Sequence, residues 1–245
     1  MLAIIGGSGL SRLASLDGVE RKAIHTPYGN PSGALSFGRI GGRELVFLAR
    51  HGDDHSIAPH QVNYRANIRA LQEAGVKEIV SIATVGGIRR EFGPGELVIP
   101  HQILDYTWGR HSTFFDGPGA AVTHIDFTEP YSAALRKRIL AAAAACGETV
   151  ADGGVYATTQ GPRLETAAEV TKLERDGAEL IGMTGMPEAA LAREAGIQYA
   201  AIAVVANHAA GRGDSAHAIS LERMGVVLGQ AMARVRRILA QLVAA

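Results

Sequence analysis

Short runs of β-branched and aliphatic residues alternate with longer helical patterns along the 245-residue chain, and this alternation is the strongest constraint on its fold. Eight runs are interpreted as strands: LAII, ALSFGRI, ELVFLA, EIVSIAT, ELVIP, GVYAT, AELIGM and QYAAIAVVA. Several are apolar throughout, as expected for strands that are buried on both faces of a sheet. The pattern predicts an α/β fold: a single domain, residues 1–245, with a central mixed β-sheet flanked by helices.

The predicted helices fill the intervals between these strands, and one of them carries clear signals at both ends. In the segment MPEAALAREAG, Pro187 suits the first helical turn, Glu188 complements the positive helix end, and Gly196 can close the helix. Gly41 and Gly42, between the second and third strands, predict a hairpin, so the sheet is expected to be mixed. The five helices are predicted at 61–75, 130–146, 165–177, 187–195 and 219–244.

The balance of charge and the cysteine content narrow the classes of function. Lysine plus arginine equals aspartate plus glutamate at 24 each, so no overall field would recruit nucleic acid or an anionic membrane. The one cysteine, Cys146, excludes an intramolecular disulfide, which fits a reducing compartment, and it is interpreted as a small buried hydrophobe. We therefore expect a cytoplasmic protein whose partners are neither nucleic acid nor a membrane.

The segment RHGDDHSIAPH, residues 50–60, admits three interpretations: a metal site, a solvated charged loop or a receptor for an anion. His51, His55 and His60 could supply three nitrogen ligands to zinc. A helical pair of histidines would need a continuous helix, whereas the glycine and the proline of the same segment predict a loop. The metal hypothesis is therefore the weakest of the three.

The anion receptor fits this segment better. Arg50 directly follows the apolar strand ELVFLA and offers a fixed guanidinium fork that matches the geometry of phosphate. His51 can add another donor. Asp53 and Asp54, taken singly, are interpreted as part of a solvated loop.

Hydroxyl-bearing segments follow other predicted strands. In GGSGL, residues 6–10, small residues let backbone amides and the Ser8 hydroxyl approach an anion, although a plain glycine turn is an equal alternative. Arg12 stands where a dinucleotide fingerprint needs its third glycine, so that interpretation fails. Thr84 is predicted at the carboxyl end of a strand, before a Val-Gly-Gly turn. Thr184 follows a strand and precedes a helix N-terminus, which favours an anion.

Two further polar residues keep open alternatives. Asn207 ends the last apolar strand, where its amide can both donate and accept, but it could equally be a turn or cap residue. For Glu165, in GPRLET, a helix-start carboxylate with no catalytic part is the alternative to a residue of the site.

Six segments occur in fixed order: Arg50-His51-Gly52, HQVNYRANIRAL, SIATVGGI, TQGPRLET, GMTGMPEAALAREAGI and VVANHAA. With them the chain resembles the trimeric nucleoside phosphorylase family, and within it the methylthioadenosine and methylthioinosine phosphorylase branch. The similarity runs from Gly6 to the final helix. The resemblance implies an α/β domain with a mixed sheet, a homotrimer, no metal or organic cofactor, and cleavage of purine nucleosides with inorganic phosphate as co-substrate.

The resemblance also assigns roles to residues of this chain. Met183 would pack against the ribose, and GPRLET would approach the base, although relatives often carry an aromatic residue where Leu164 stands. The implied phosphate site consists of the cation and hydroxyl positions chosen above: Ser8, Arg50, His51, Thr84 and Thr184.

The positions that face the base depart from the adenine-directed relatives, which place aspartates where this chain has Asn207 and Ala209. A 6-aminopurine shows a donor at position 6 beside the N7 acceptor, while a 6-oxopurine shows two acceptors. Carboxylates suit the first pattern and repel O6 in the second. An amide at position 207 can donate to O6 or N7, so the sequence predicts hypoxanthine or guanine as the leaving group.

The 5′ side of the nucleoside is predicted from the last helix. Phosphorylases of ordinary nucleosides place a histidine near the 5′-hydroxyl, whereas Leu221 aligns there, with Met224 one turn on, and such an apolar lining suits a methylthio group. His217 is the alternative that would recover a hydroxyl contact. His124 matches a residue that relatives lend to the neighbouring subunit's pocket.

These assignments predict phosphorolysis of 5′-methylthioinosine to hypoxanthine and 5-methylthioribose 1-phosphate. Phosphate held by Arg50 and His51 would attack C1′ as the bond to N9 stretches, while Asn207 stabilises charge on the purine. The alternatives are an inosine or guanosine phosphorylase, a methylthioadenosine phosphorylase, a hydrolytic nucleosidase with a carboxylate base, and a nucleotide-binding module without catalysis.

Overall fold

The computed structural model describes residues 1–10, 12–13, 15–119 and 121–245, and one mixed sheet of eleven strands runs through them. The strands are β1 (Leu2–Gly6), β2 (Asp17–Lys22), β3 (Leu35–Ile40), β4 (Arg43–Ala49), β5 (Glu78–Gly87), β6 (Leu97–Ile99), β7 (Gln102–Asp105), β8 (Ala151–Asp152), β9 (Val155–Thr158), β10 (Leu180–Gly182) and β11 (Gln198–His208). The helices are α1 (Tyr64–Glu73), α2 (Ala133–Ala145), α3 (Ala167–Arg175), α4 (Glu188–Glu194) and α5 (Leu221–Ala244).

Four parallel strands form the centre of the sheet, in the order β4, β1, β5 and β11. Successive residues of β1 enter different cores: Ile4 packs with α2 and α5 on one face, and Ile5 packs with α1 and α4 on the other. Burial of each such side chain stabilises the fold by about 1.5–3 kcal/mol. Because both faces are covered, these strands carry near-continuous apolar runs, and their carboxyl ends meet at one edge.

The sequence-based prediction of an α/β fold with a mixed sheet is confirmed. All eight predicted strands and all five predicted helices are present. The predicted hairpin joins β3 to β4, with Ile40 opposite Arg43 and with positive φ at both Gly41 and Gly42. The helix signals around α4 also hold, because Pro187 is its N-cap and Gly196 lies just beyond its end with φ 69°.

Three strands were not predicted, because each lacks the apolar pattern that marks a buried strand. β2 is exposed at every residue and is held at the sheet edge by antiparallel pairing with β3. β7 is only partly buried, and β8 has two residues. Edge strands of this kind depend on backbone pairing with a neighbour, which local sequence does not reveal.

The turn predicted after Thr84 is wrong. β5 continues through Gly86 and Gly87, where it pairs with both β10 and β11. A Cβ on Gly87 would lie 1.8 Å from the Phe92 carbonyl oxygen, so glycine is needed there for close approach of two backbones rather than for a turn. Thr84 therefore lies within a strand.

Two further features bear on the sequence-based predictions. Cys146 caps the C-terminal end of α2 and is partly buried against the core, so its predicted burial is incomplete. None of the described helices combines the length and the hydropathy that a membrane span requires.

Candidate active site

A cavity of about 420 Å³ lies where β1, β4, β5, β10 and β11 end. Residues in or just after each of these strands form its wall, as expected for ligand sites at the carboxyl ends of strands in α/β sheets. Ten residues assigned from the sequence line it: Ser8, Arg50, His51, Thr84, Leu164, Met183, Thr184, Asn207, Ala209 and Met224. The fold thus brings together residues that are up to 216 positions apart (224 minus 8) in the chain.

Arg50 follows β4 directly and is completely buried. Its guanidinium fork, predicted to hold phosphate, is instead occupied by Glu188: Nε donates to Oε2 at 2.6 Å and Nη2 to Oε1 at 2.9 Å. Burial alone would lower the pKa of Arg50, but the charge and the hydrogen bonds of Glu188 outweigh this and raise it. Arg50 is therefore always charged, and its remaining Nη1 is the atom that can face an anion.

His51 is also buried, and its ring is neutral at physiological pH. Desolvation, followed by the nearby charge of Arg50, lowers the pKa of the His51 imidazole to about 4. Its Nδ1 lies 2.8 Å from the Ile57 carbonyl oxygen, which can only accept, so Nδ1 carries the proton and Nε2 is an acceptor. His51 was predicted to donate its ring N–H to the anion, but this N–H is donated to the Ile57 carbonyl. The other ring nitrogen, Nε2, can accept a hydrogen bond from a protonated oxygen of phosphate.

Three hydroxyl groups complete the anion end of the cavity. Ser8 lies in the turn after β1, and its Oγ is 3.2 Å from Nε2 of His55. Thr84 Oγ1 donates to the Ser8 carbonyl at 3.3 Å, and Thr184 is buried just after β10. The segment GGSGL forms a glycine turn, as one alternative predicted, and its Gly7 and Ser8 also line the cavity, as the other required.

Asn207 and Ala209 lie at the end of β11. The register of β11 against β5 shifts between Val205 and Asn207, and such a bulge changes the direction of a side chain. Nδ2 of Asn207 donates to the His208 carbonyl at 2.6 Å, which fixes the amide plane and leaves one N–H and the amide oxygen available. Ala209 is buried and adds no polar group to this wall.

Glu165 lines the same cavity, which favours a residue of the site over the alternative of a helix-start carboxylate. The start of α3 is capped by Thr166 and Glu169, which exchange reciprocal hydrogen bonds, so Glu165 is not needed there. Its Oε1 accepts from Thr159 Oγ1 at 2.6 Å, while burial raises the pKa of the Glu165 carboxyl above its ordinary value. The sequence did hold a signal for this: Thr166 and Glu169 have the spacing of a capping box, so the helix start was already capped without Glu165.

The apolar end of the cavity is formed by Ile219 and Met224. Leu221, which was predicted here, is 71% exposed at the first position of α5 and lies outside the lining. His217 is exposed and outside the lining as well. The loop before α5 brings Ile219 to the wall instead. The insertion in AAGRGDSAH shifts the alignment with relatives, so the sequence did not identify this residue.

This loop is tied to its surroundings at two points. His208 Nδ1 lies 2.7 Å from Asp214 Oδ1, and Arg212 Nη2 donates to Glu174 of α3 at 2.7 Å. His124, predicted to serve a neighbouring subunit, is exposed and does not line the cavity of its own chain.

The metal hypothesis has no geometric support in the described part of the chain, where no group of three His, Cys, Asp or Glu side chains is placed to hold an ion. His51 and His55 face each other with ring centroids 4.7 Å apart, while His60 is exposed. The cavity instead offers hydroxyls and one cation at one end, an amide and a carboxylate at another, and an apolar wall beside them.

Known proteins resemble this chain over most of its length. The family model described as the phosphorylase superfamily matches residues 1–244. The probable S-methyl-5′-thioinosine phosphorylase of Xanthomonas campestris pv. campestris is 55% identical over 87% of this chain and 86% of its own length. The probable 6-oxopurine nucleoside phosphorylase of Thermococcus kodakarensis is 47% identical over 86% and 80%, respectively.

The same relationship holds for solved structures. Methylthioadenosine phosphorylase from Schistosoma mansoni, in complex with adenine, matches with a TM-score of 0.92 and 31% identity over 99% of this chain and 90% of that one. The agreement of sequence, fold and family model leads to one conclusion: this chain belongs to the phosphorylase superfamily.

Proposed function

We propose that the protein is a pentosyltransferase that cleaves 5′-methylthioinosine with inorganic phosphate, giving hypoxanthine and 5-methylthioribose 1-phosphate. The observation that carries the substrate assignment is the neutral amide of Asn207 beside the apolar Ala209, in the same cavity as the anion receptor. The adenine-directed relatives have aspartates at both positions. An inosine or guanosine phosphorylase and a methylthioadenosine phosphorylase are the alternatives within the family.

Glu165 extends the argument for a 6-oxopurine. Such a base carries a hydrogen on N1, to which an ionised carboxylate can bind, whereas N1 of adenine is an acceptor and would meet a second acceptor. The remaining N–H of the Asn207 amide can donate to O6 or N7. Together, Asn207 and Glu165 match the acceptor and the donor on one edge of hypoxanthine.

The proposed reaction uses the anion end for the nucleophile. Phosphate receives hydrogen bonds from Arg50 Nη1 and from the hydroxyls of Ser8 and Thr184, and its own P–OH donates to Nε2 of His51. The Thr84 hydroxyl donates to the Ser8 carbonyl and so holds the turn that carries Ser8. It attacks C1′ as the bond to N9 breaks, and its negative charge stabilises the cationic ribosyl group. Asn207 stabilises the electron pair that remains on the purine. The residues bind, orient and stabilise, with no covalent enzyme intermediate.

The 5′ substituent and the similar proteins support the same substrate. Ile219 and Met224 form an apolar wall that suits a methylthio group better than a hydroxyl. The relative from Xanthomonas is named for methylthioinosine and the one from Thermococcus for 6-oxopurine nucleosides. The Schistosoma structure is named for methylthioadenosine, at a lower identity of 31%.

We further propose a cytoplasmic homotrimer in purine salvage that needs no metal or organic cofactor. His124 would reach the cavity of a neighbouring subunit, and the exposed apolar side chains of Trp108, Phe115 and Val122 lie in the same segment of the chain. Exposed apolar groups of this size are typical of surfaces that another copy covers.

The proposal is tested by incubating the protein with methylthioinosine in the presence and in the absence of phosphate, and identifying the sugar product. We expect hypoxanthine release only with phosphate, together with 5-methylthioribose 1-phosphate. Release of free 5-methylthioribose without phosphate would show a hydrolase, for which Glu165 would be the candidate base. Saturable binding without release would show a binding module.

Glu165 gives a prediction on pH dependence. Because burial raises its pKa, the carboxyl takes up a proton as the pH falls through this raised value and loses its acceptor charge. We expect kcat/KM for methylthioinosine to fall on that acid limb. Glu165→Gln should be about tenfold slower at neutral pH but without this limb, because an amide oxygen accepts at every pH. The titration of phosphate is common to both proteins and cancels in their ratio. An acid limb of the same size in Glu165→Gln would contradict the assignment.

Met224 gives a prediction on the 5′ group. Met224→Ser should lower the preference for methylthioinosine over inosine about tenfold, because it removes apolar contact with the methylthio group. The ratio of the two kcat/KM values measures this effect. Leu221→Ser serves as the control, since Leu221 lies on the same helix outside the cavity. If this ratio fell only in Leu221→Ser, Leu221 would be the residue at the 5′ group, as the sequence predicted, and the role of Met224 would be contradicted.

A further inference from the structure

Arg50 is the only arginine or lysine among the described residues that line the cavity, and yet its charge is balanced. Glu188, at the start of α4, is fully buried beneath it and binds it through both carboxylate oxygens. The two formal charges of the pair cancel. A phosphate ion therefore meets a donor that is fixed in direction rather than a free positive charge.

Glu188 is itself held by two neutral donors from different strands. Ser81 of β5 donates to Oε1 at 2.8 Å, and Tyr199 of β11 donates to the same oxygen at 2.8 Å. Burial, followed by the charge of Glu188, raises the pKa of Tyr199 well above that of an ordinary phenol, so its hydroxyl remains a donor. The buried carboxylate thus has hydrogen bonds on both oxygens, which is the condition for burying a charge.

A count of hydrogen bonds shows what is left for the anion. A guanidinium group has five N–H bonds. Four of them are directed inward: Nε and one Nη2 hydrogen to Glu188, the other Nη2 hydrogen to Ser81 Oγ at 2.6 Å, and one Nη1 hydrogen to the Ile82 carbonyl at 3.0 Å. One N–H on Nη1 remains. A Cβ on Gly7, a residue of the cavity wall, would lie 3.1 Å from this nitrogen.

Thr184, another hydroxyl of the anion end, lies close to Glu188 in the chain. Thr184 and Met183 lie in the short segment between β10 and α4, four and five residues before Glu188. When one of the two hydroxyls is removed, Glu188 keeps its bonds to Arg50 and to the other hydroxyl, so α4 and this segment are expected to stay in place. The network joins β4, β5, β11 and α4 at one buried point.

We propose that Glu188, Ser81 and Tyr199 are positioning residues of the phosphate site: they direct the single remaining N–H of Arg50 at the anion and cancel its charge. None of the three is among the residues that line the cavity. The inference rests on the proposed function and deepens it, because it names the groups on which phosphate affinity depends. Loss of one hydroxyl should loosen Arg50 and weaken phosphate while leaving the nucleoside end of the cavity unchanged.

The chain offers a matched pair of substitutions for the test. Tyr199→Phe removes the hydroxyl that binds Glu188. Tyr131→Phe makes the same change in a buried ring that stacks on Tyr199 at 5.9 Å, but the Tyr131 hydroxyl has no hydrogen-bond partner among the described residues. Both variants keep the shape of the side chain, so both are expected to fold. Ser81→Ala is a second probe of the network from another strand.

We expect Tyr199→Phe and Ser81→Ala to raise the KM for phosphate about five- to tenfold, with the KM for methylthioinosine unchanged, and Tyr131→Phe to alter neither. Calorimetric titration of each protein with inorganic phosphate alone should give the same ratio of affinities. Equal phosphate affinity in Tyr199→Phe and Tyr131→Phe, or a parallel rise in both KM values, would overturn the inference. Failure of the unmodified protein to bind phosphate would overturn the proposed function and this inference with it.

Discussion

Asn207→Asp is expected to abolish the preference for a 6-oxopurine. The substitution replaces the N–H that faces O6 or N7 with a charged acceptor and also removes the donor to the His208 carbonyl. Methylthioinosine would then meet repulsion where it now has a hydrogen bond. We expect kcat/KM for methylthioinosine to fall about a thousandfold, equivalent to about 4 kcal/mol, while methylthioadenosine becomes the better substrate. The measurement is kcat/KM for both nucleosides at saturating phosphate.

Asn63→Asp is the matched control for this experiment. Asn63 caps α1 by accepting from the Ala66 amide at 3.0 Å, which aspartate can also do, and it lies outside the cavity lining. Its Nδ2 donates to the Tyr28 carbonyl at 2.8 Å, so Asn63→Asp loses one donor to a backbone carbonyl, as Asn207→Asp does. Its substitution should leave the ratio of the two substrates unchanged. Retention of the oxopurine preference in Asn207→Asp would contradict the account of base recognition.

Arg50→Met is expected to show the largest effect on stability. It leaves the charge of Glu188 buried without its partner, which costs about 3–5 kcal/mol in the free energy of unfolding. It also removes the cation of the anion receptor, so phosphorolysis should be lost. Adding Glu188→Met removes the second charge and should restore most of the stability without restoring turnover. Urea denaturation and the phosphate-dependent assay separate the two effects.

The exposed pair of Arg39 and Glu44 provides the comparison, with side chains 61% and 68% exposed. Arg39→Met should cost less than about 1 kcal/mol and leave activity intact. The account would be contradicted if Arg50→Met were as stable as Arg39→Met. Phosphate-dependent turnover by the double variant would contradict the role of Arg50.

Much of the fold was predictable because its central strands are buried on both faces. β1, β5 and β11 carry near-continuous apolar runs that local pattern identifies. β2 was not predictable, since its six exposed residues are a strand only through pairing with β3. Gly86 and Gly87 were wrongly predicted as a turn for a related reason. They pair with β10 on one side and β11 on the other, and this pairing keeps them extended.

The site was predictable as a set of residue types but not as a set of contacts. Arg50, Ser8 and Thr184 follow strand ends as predicted, whereas Thr84 lies within β5. The sequence could not reveal that Glu188, 138 positions away, occupies the fork of Arg50. Nor could it show that Ile57 takes the ring proton of His51. Both facts depend on tertiary contacts, and they change the donors that phosphate meets.

The most direct test of the central claim is a comparison of kcat/KM for methylthioinosine, inosine and methylthioadenosine at saturating phosphate. The account predicts that methylthioinosine exceeds both others at least tenfold, because Asn207 and Glu165 select the base and Met224 selects the 5′ group. Preference for methylthioadenosine would contradict the base assignment, and preference for inosine would contradict the apolar 5′ wall.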